Sequence, residues 1–358
     1  MHDPEKKDIP ITVAMSGGVD STVAAALLQE NGHPVEGVFL SLAQPDLAFQ
    51  IDRVSKIAHR LGIPFTVLDL RTTFEQEVLD YFTKSYYAGR TPNPCIVCNR
   101  TIKFGKLLDT VLAGASPSRH LATGHYARVQ QDDTGRTRLL RGQDPKKDQS
   151  YFLCQLRQNQ LSRLCFPLGS YAKEAVYELA LRFGFTEFRE RQESQDVCFL
   201  KNLSIAEFLA ARSRVAPAQG DIVTMAGRHI GRHSGICGFT VGQRRGLGIP
   251  DTTPYYVVAL DALNNQVIVG KENDLWHRKL LIQDVNWLSG SPPALPQAFD
   301  VKIRYRHAPA SAVVRHAAEN GLEVEFSEPQ RAITPGQFAA LYQGDALLAG
   351  AEIVRVLP

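Results

Sequence analysis

Apolar residues follow two different spacings along the first third of the chain. Short apolar runs of strand length alternate with longer stretches in which apolar residues recur at helical spacing. The predicted strands are 11–16, 35–42, 65–70 and 120–125, and the predicted helices between them are 21–32, 47–61 and 74–86. Alternation of this kind predicts a doubly wound α/β domain whose parallel sheet is covered on both faces.

The pattern changes in the second part of the chain. The predicted helices are 158–166, 171–183 and 204–212, and the predicted hairpins are 127–141 and 255–270. Glycine and β-branched residues become frequent from about residue 213, and another all-β block with a turn at Asn320-Gly321 closes the chain. We therefore expect β-rich regions after the α/β domain.

Length and composition narrow the class of protein. The 358 residues are more than one hydrophobic core usually serves, and 44% hydrophobic with 22% charged residues is typical of a soluble protein. No run approaches the roughly 18 apolar residues of a membrane span, and six cysteines are too sparse for a disulfide framework. We predict a cytoplasmic protein without a membrane partner. The net charge of +3 does not by itself indicate a nucleic-acid partner.

The loop SGGVDS (16–21) follows the first predicted strand, where doubly wound folds bind ligands. Two glycines let the backbone approach an anion, and the next helix offers free N–H groups and its positive dipole end. Asp20 suggests a ligand for Mg²⁺ beside phosphates. The alternative is an ordinary Gly-Gly turn before a helix. SGGVDS resembles the signature of the PP-loop ATP pyrophosphatases, which implies cleavage of ATP to AMP and pyrophosphate and adenylation of a substrate oxygen.

Three cysteines are candidates for sulfur or metal chemistry. Cys95 and Cys98 lie in TPNPCIVCN, at the start of a helix predicted from Ile96 to Leu112, and Cys198 lies in SQDVCFL. The helix dipole, with Arg100 and Lys103 nearby, predicts depressed thiol pKa values. A structural zinc site and a thioredoxin-like dithiol are alternatives, although no second Cys-x-x-Cys is present. The apolar neighbours of the remaining cysteines predict buried core positions for Cys154, Cys165 and Cys237.

Seven motifs in order resemble those of the tRNA-specific 2-thiouridylases. They are SGGVDS, AGRTPNPCIVCN with IKFG, ATGHYAR, KDQSYFL, SQDVCF, GQRRGLGI and TPGQ. The resemblance runs from near residue 11 to the carboxyl end. It implies an adenylating PP-loop domain over 1–205, a small central β-rich domain over 206–272 and a C-terminal β-barrel over 273–358. It also implies the reaction, in which the C2 oxygen of the wobble uridine of tRNA is adenylated and replaced by sulfur.

The same resemblance implies roles for individual residues. ATP would contact Ala14, Met15, Ser16, Gly17, Gly18, Val19, Asp20, Ser21, Leu40 and Gly124. The tRNA would contact Asn93, Pro94, Cys95, His125, Lys147, Asp148, Gln149, Arg304, Tyr305 and Gln337. Cys198 would receive a persulfide sulfur from a carrier, and Cys98 would help to release that sulfur onto the activated base, leaving a Cys98–Cys198 disulfide to be reduced.

Cys95 departs from the commonest family pattern, in which many members have an aspartate. Compared with that aspartate, a thiol is a worse proton shuttle here but a better metal ligand. Cys95, Cys98 and Cys198 could instead bind three irons of a [4Fe-4S] cluster that uses inorganic sulfide. The segment LSLAQ also lacks the Asn-Trp typical of the family. Two other classes stay open: a non-catalytic RNA-binding protein with a structural metal site, and an amidating PP-loop ligase.

Basic residues cluster in the last part of the chain. The alternation in VKIRYRH (301–307) predicts a strand that places Lys302, Arg304 and Arg306 on one face, with the spacing of a phosphate track. A solvated charged face is the alternative. Beside an adenylating loop, the row favours a tRNA partner. His125 is ambiguous, because a histidine that ends a strand is often only a polar cap.

Overall fold

The computed structural model describes residues 9–44, 46–114, 119–188, 197–200, 203–212 and 218–358. Residues 194–196 of SQDVCF and the start of the predicted β-rich region at 213 lie outside the described residues. The strands of the first part are β1 (Ile11–Ala14), β2 (Val35–Ser41), β3 (Phe65–Asp69), β4 (His120–Ala122), β5 (Ala127–Gln131), β6 (Thr137–Arg141) and β7 (Leu164–Cys165). Those of the later part are β8 (Gly220–Thr224), β9 (His229–His233), β10 (Tyr256–Asp261), β11 (Gln266–Gly270), β12 (Trp276–Trp287), β13 (Gln297–Lys302), β14 (Ala310–His316), β15 (Leu322–Arg331), β16 (Phe338–Gln343) and β17 (Ala346–Leu357).

The helices lie mainly in the first part of the chain. They are α1 (Val19–Glu30), α2 (Leu47–Leu61), α3 (Arg71–Phe74), α4 (Asp80–Tyr87), α5 (Pro94–Cys98), α6 (Leu108–Leu112), α7 (Gln158–Leu161), α8 (Lys173–Arg182) and α9 (Ile205–Arg212). Two π-helices, Glu75–Leu79 and Asn99–Leu107, connect α3 to α4 and α5 to α6. Short 3-10 helices are Ser150–Leu153, Thr186–Phe188, Ile236–Gly238 and Glu272–Leu275.

The parallel sheet has the strand order β3-β2-β1-β4-β7. The strand β1 is buried and lies between β2 and β4, so the chain changes direction across the sheet at β1. A doubly wound sheet opens a crevice for ligands at the carboxyl ends of the strands at such a point. This confirms the α/β part of the predicted fold class and places SGGVDS at the crevice.

One predicted helix of this region is wrong in its second half. The helix expected over 158–166 ends at Leu161, and Leu164–Cys165 forms the edge strand β7. Leu121 pairs with Leu164 and Ala122 with Cys165, which buries Leu164 in the core. Pairing with a strand distant in sequence therefore overrides the local helical spacing.

The β-rich regions form two separate sheets. A four-stranded sheet with the order β10-β11-β8-β9 encloses a small core, and its β10–β11 pair confirms the hairpin predicted over 255–270. The strands β12-β15-β14-β13-β16-β17 form an antiparallel barrel that β12 and β17 close. The three-part fold class is thereby confirmed. The hairpin of β5 and β6, also predicted, joins the barrel sheet where Leu139 and Leu140 pair with β17.

The strand predicted over 301–307 is wrong beyond its second residue. The strand β13 ends at Lys302, and residues 303–306 turn instead of continuing the alternation. Ile303 is buried, so the turn is fixed by core packing. Lys302, Arg304 and Arg306 therefore do not form a row on one strand face.

Candidate active site

Hydrogen bonds within the SGGVDS loop and from α2 fix the conformation of this loop. The Ser21 hydroxyl accepts a hydrogen bond from the Ser16 backbone N–H at 3.2 Å and donates one to the Gly18 carbonyl at 3.2 Å. Gly17 has a φ of +75°, which favours glycine, and its carbonyl accepts a bond from the Arg53 guanidinium of α2. Gly18 precedes α1 without a side-chain cap, so the first N–H groups of α1 are available to an anion.

Asp20 has two partners that the sequence did not reveal. Its Oδ1 accepts bonds from the Lys173 Nζ and the Tyr126 hydroxyl, each at 2.7 Å. Lys173 is 5% exposed and begins α8, so a buried cation stands at the phosphate loop. The Asp20 carboxylate stays partly exposed, with a side-chain exposure of 33%, and fits a role as an oxygen ligand for Mg²⁺.

Leu40 lies on one of the two strands that flank β1, and Gly124 lies just after the other. Leu40 is in β2 and nearly buried, while Gly124 follows β4. A Cβ atom on Gly124 would lie 2.8 Å from the Asp20 carbonyl carbon and 2.9 Å from the Ser21 nitrogen. Gly124 is therefore required by the close approach of its loop to the start of α1.

The Cys-x-x-Cys pair lies on a capped helix that continues as a π-helix. The Asn93 side chain accepts a bond from the Ile96 N–H at 3.3 Å, and Pro94 occupies the first turn, where a missing N–H costs nothing. The predicted helix over 96–112 is confirmed, but its central part is a π-helix. Because a π-helix bonds residue i to i+5, Lys103 is brought toward the face of Cys98. A Cβ on Gly105 would meet the Arg100 carbonyl oxygen at 2.9 Å, so glycine suits this helix.

Among the described residues, the three candidate thiols form no disulfide, and the charge of Lys103 acts on each of them. Cys98 is buried, whereas Cys95 and Cys198 reach the surface. Burial raises the pKa of Cys98 to about 12, and the field of Lys103 opposes this rise. Although Cys95 and Cys198 reach the surface, desolvation by the protein atoms packed around their thiols also raises their pKa values, and Lys103 again opposes the rise. The predicted depression of the thiol pKa values is therefore wrong in this structure, because desolvation exceeds the field of Lys103.

His125 connects the phosphate loop to the thiols. It follows Gly124, and its Nδ1 lies 2.7 Å from the Thr123 hydroxyl. Its ring lies 5.8 Å from the ring of Phe104 in the π-helix. Burial and the charge of Lys103 lower the pKa of His125 well below its usual value, so the imidazole is neutral. The Thr123 bond satisfies one ring nitrogen, as a polar cap would.

The described residues contain no group of three or more His, Cys, Asp or Glu side chains placed to hold one metal ion. All three candidate thiols belong to those residues. The described residues therefore offer no ligand set for the structural zinc site that was considered as an alternative. Nothing in the arrangement supports the [4Fe-4S] cluster. As predicted, Cys154 and Cys237 are buried in the core, and Cys165 packs against it.

The segment KDQSYFL is fixed mostly by internal bonds. Asp148 is 7% exposed, and its carboxylate accepts bonds from the N–H groups of Gly142 and Ser150 and from the Ser150 hydroxyl, each at 3.0 Å. The Gln149 side chain accepts a bond from the Tyr126 N–H at 3.1 Å. Lys147 stays partly exposed. Of these three candidate tRNA contacts, Asp148 is buried, whereas Gln149 is partly exposed, as Lys147 is.

All three candidate tRNA contacts in the C-terminal part of the chain also bind the protein itself. The Arg304 guanidinium donates to the Ala332 carbonyl and the Thr334 hydroxyl. Tyr305 stacks on Phe152 with ring centroids 4.4 Å apart. The third, Gln337, donates to the chain just before the cysteine pair.

A cavity of about 570 Å³ opens between the β5–β6 hairpin and the end of β13. Its lining includes Arg128, Arg141 and Lys302. The Arg141 guanidinium carbon lies 4.1 Å from the centre of the Tyr342 ring, and its Nη2 is buried with no hydrogen-bond partner among the described residues. Asp148 and Asp345 also line the cavity, and Asp345 pairs with Arg128 at 2.8 Å, so the three cations exceed the two carboxylates by a single positive charge.

Three family models match the chain in order. The tRNA methyl transferase HUP domain matches residues 9–202, the tRNA methyl transferase PRC-barrel domain 206–271, and the aminomethyltransferase beta-barrel domain 277–353. A protein of Desulfotalea psychrophila named tRNA-specific 2-thiouridylase MnmA is 46% identical over 342 residues, which are 96% of this chain and 98% of the relative. The chain belongs to the tRNA-specific 2-thiouridylase family. A family relative with the same name from Carboxydothermus hydrogenoformans is 42% identical, over 97% of this chain and 98% of its own.

Membership in the 2-thiouridylase family confirms the resemblance seen in the motifs. The boundaries 1–205, 206–272 and 273–358 stay predictions, as do the roles of single residues. A solved structure titled as NMN synthetase from Francisella tularensis covers 52% of this chain and 66% of its own at 14% identity, and its TM-score of 0.33 is too low to support an argument. Among the described helices, none has the length and apolarity to cross a membrane.

Proposed function

We propose that this chain replaces the C2 oxygen of the wobble uridine of tRNA with sulfur, using ATP. The continuity of the site supports this most directly. Gly124 packs on the phosphate loop, His125 follows it, and Lys103 acts on the pKa values of both His125 and the three thiols. His125, beside the phosphate-loop contact, and the three thiols therefore lie within the electrostatic reach of one cation, Lys103. The names of the relatives support the same substrate and reaction.

The first step is adenylation. The start of α1 binds the phosphates of ATP through backbone N–H groups, and the buried Lys173 adds a positive charge beside them. The C2 oxygen attacks the α-phosphorus, the bond from that phosphorus to the bridging oxygen breaks, and pyrophosphate leaves with the electron pair. Mg²⁺, held by Asp20, would neutralise charge on the phosphates. Tyr126 orients the Asp20 carboxylate through its 2.7 Å bond.

The second step transfers sulfur. A persulfide carrier gives its outer sulfur to the exposed Cys198, forming a Cys198 persulfide. Burial keeps the Cys98 thiol protonated at rest, so this thiol passes its proton to the departing outer sulfur of the persulfide anion as it attacks the inner Cys198 sulfur. A Cys98–Cys198 disulfide forms and hydrosulfide leaves. Hydrosulfide adds at the adenylated C2 carbon, and AMP departs with the former C2 oxygen. A thiol reductant then supplies two electrons to restore both thiols. Lys103 favours the Cys98 thiolate, whose pKa burial would otherwise raise further.

Cys95 lies one helical turn before Cys98 and is exposed, so it can face the target base. Because burial raises its pKa, this thiol stays protonated at neutral pH and can donate a proton. The role of a metal ligand finds no support in the placement of the three thiols. No step is therefore assigned to a cluster.

The tRNA lies across the cysteine helix and the barrel in this proposal. Lys147 and the cavity lined by Arg128, Arg141 and Lys302 supply positive charge on that side. Phosphate contacts of this kind position the nucleic acid without reading its sequence. A cytoplasmic location, expected from composition, stays a prediction.

Mass spectrometry of tRNA nucleosides tests the proposal. Protein purified with and without air is incubated with tRNA, ATP and Mg²⁺, and with either a persulfide donor or sulfide. We expect 2-thiouridine with the persulfide donor from colourless, iron-free protein. Activity that appears only in brown, iron-containing anaerobic protein with sulfide would replace the persulfide route by the cluster. Absence of 2-thiouridine under all conditions, with intact tRNA binding, would favour a non-catalytic RNA-binding protein.

A further inference from the structure

A turn of the C-terminal barrel contacts the chain immediately before the cysteine helix. The turn is Thr334–Gln337, between β15 and β16, and the contacted segment is Thr91–Pro92. The Thr91 N–H donates to the Pro335 carbonyl at 2.9 Å. The Gln337 Nε2 donates to the Thr91 carbonyl at 2.8 Å and to the Pro92 carbonyl at 3.3 Å. One amide group thus fixes two successive carbonyls.

The turn is itself firmly held in the barrel. The Gly336 N–H donates to the Ile353 carbonyl at 2.9 Å, and the Ile353 N–H donates to the Gln337 carbonyl at 2.8 Å. Arg304 binds the segment just before the turn through Ala332 and Thr334. The carbonyls that receive the Gln337 amide are therefore tied to a rigid element and not to a free loop.

Packing at this contact leaves little space. Gly336 has a φ of +87°, and a Cβ there would lie 3.0 Å from the Arg90 Cβ and from the Thr91 nitrogen and oxygen. An ion pair between Arg90 and Glu352 at 2.9 Å lies beside the same contact, with the two side chains 45% and 21% exposed. The barrel and the TPNP segment are consequently joined by close backbone packing, by side-chain hydrogen bonds and by an ion pair.

The contact leads directly to the thiols. The carbonyl of Pro92 belongs to the peptide bond of Asn93, whose side chain caps the helix that carries Cys95 and Cys98. We propose that Gln337 is a positioning residue, which sets the entry of the cysteine helix and so the direction of the Cys98 thiol. This inference rests on the proposed role of Cys98 in sulfur transfer. Both bonds of the amide nitrogen stay inside the protein, and the tRNA contact expected at Gln337 from the resemblance stays a prediction.

The isosteric variant Gln337→Glu tests the inference, because it keeps the shape and loses the donor. Gln343→Glu is the matched control, since Gln343 is an exposed glutamine at the end of β16. We measure tRNA affinity, AMP formation, the turnover and KM of thiolation, and the alkylation rate of Cys98 by peptide mass spectrometry as a function of pH. Melting temperatures monitor folding.

We expect Gln337→Glu to bind tRNA and form AMP as wild type does. The turnover number of thiolation should fall at least about tenfold, since a misplacement of about 1 Å at a reacting group can lower the rate about a hundredfold. The alkylation profile of Cys98 should change, and Gln343→Glu should match wild type. Gly336→Ala, which presses on the same segment, should reproduce the effect if Gln337→Glu folds poorly. Weaker tRNA binding with unchanged turnover and alkylation would overturn the inference, and so would wild-type behaviour in all assays. If Cys98→Ala still thiolates tRNA, the proposed role of Cys98 in sulfur transfer fails, whereas the alkylation profile still decides the positioning of Cys98.

Discussion

Replacing Gly124 by alanine should separate nucleotide binding from tRNA binding. The new Cβ would lie 2.8 to 2.9 Å from three atoms, the carbonyl carbon and Cβ of Asp20 and the nitrogen of Ser21. Ordinary contact requires at least 3.4 Å, so the phosphate loop must shift by about half an ångström or the Gly124 loop must retreat. Asp20 resists a shift, because Lys173 and Tyr126 each hold its Oδ1 at 2.7 Å.

Overpacking of this kind costs about 1–3 kcal/mol. If the cost appears in ATP binding, the affinity should fall about 5- to 150-fold. Titration calorimetry with ATP and Mg²⁺ measures the fall in ATP affinity, and differential scanning calorimetry measures any part of the packing cost that appears as lost stability. A filter-binding assay should show unchanged tRNA affinity. Gly231→Ala is the control, because its Cβ would find no atom closer than 3.6 Å. Wild-type ATP affinity together with a wild-type melting temperature in Gly124→Ala would refute the reasoning.

Two further variants test charges at the site. Lys173→Met should lower the affinity for ATP and for pyrophosphate at least about tenfold and reduce the free energy of unfolding by about 1–3 kcal/mol, because it leaves the partly exposed Asp20 without its buried cation. Calorimetry measures both the affinities and the stability. The control is Lys56→Met on the exposed face of α2, and effects of Lys173→Met no larger than those of this control would contradict the prediction. Lys103→Gln should raise the pKa of Cys98 further, because the field of Lys103 opposes the rise caused by burial, so alkylation of Cys98 at pH 8–9 should slow and the pH profile should move upward. Lys106→Gln, on the exposed side of the same helix, should leave the profile unchanged.

Local signals in the sequence were sufficient where a motif and its structural context lie together. The apolar run of β1, the glycines after it and the start of α1 are contiguous, so the phosphate loop was predicted correctly. The hairpin over 127–141 follows from turn residues in the same way. Closure of the barrel is harder to predict from the sequence, because it depends on pairing between β12 and β17, which are far apart in sequence.

Residues that act through distant contacts were missed. Lys173 is 153 positions from Asp20, and no spacing in the sequence connects the two. Tyr126 and Lys103 lie within quoted motifs, ATGHYAR and IKFG, but only the fold shows what they face. The thiol pKa values were predicted in the wrong direction, because the helix dipole is visible in a sequence whereas burial is not. The row of cations over 301–307 failed for a related reason, since core packing of Ile303 ends the strand.

The central claim is that Cys98 and Cys198 together deliver the sulfur. The most direct measurement is a single-turnover reaction in which Cys198 is first loaded as a persulfide and tRNA is then added with ATP and Mg²⁺, without reductant. Nucleoside mass spectrometry should find one 2-thiouridine per loaded protein, and peptide mass spectrometry should find a Cys98–Cys198 disulfide in equal amount. Cys98→Ala and Cys198→Ala should form AMP but no 2-thiouridine. Thiolation at the wild-type rate by both variants, or 2-thiouridine without the disulfide, would contradict the account.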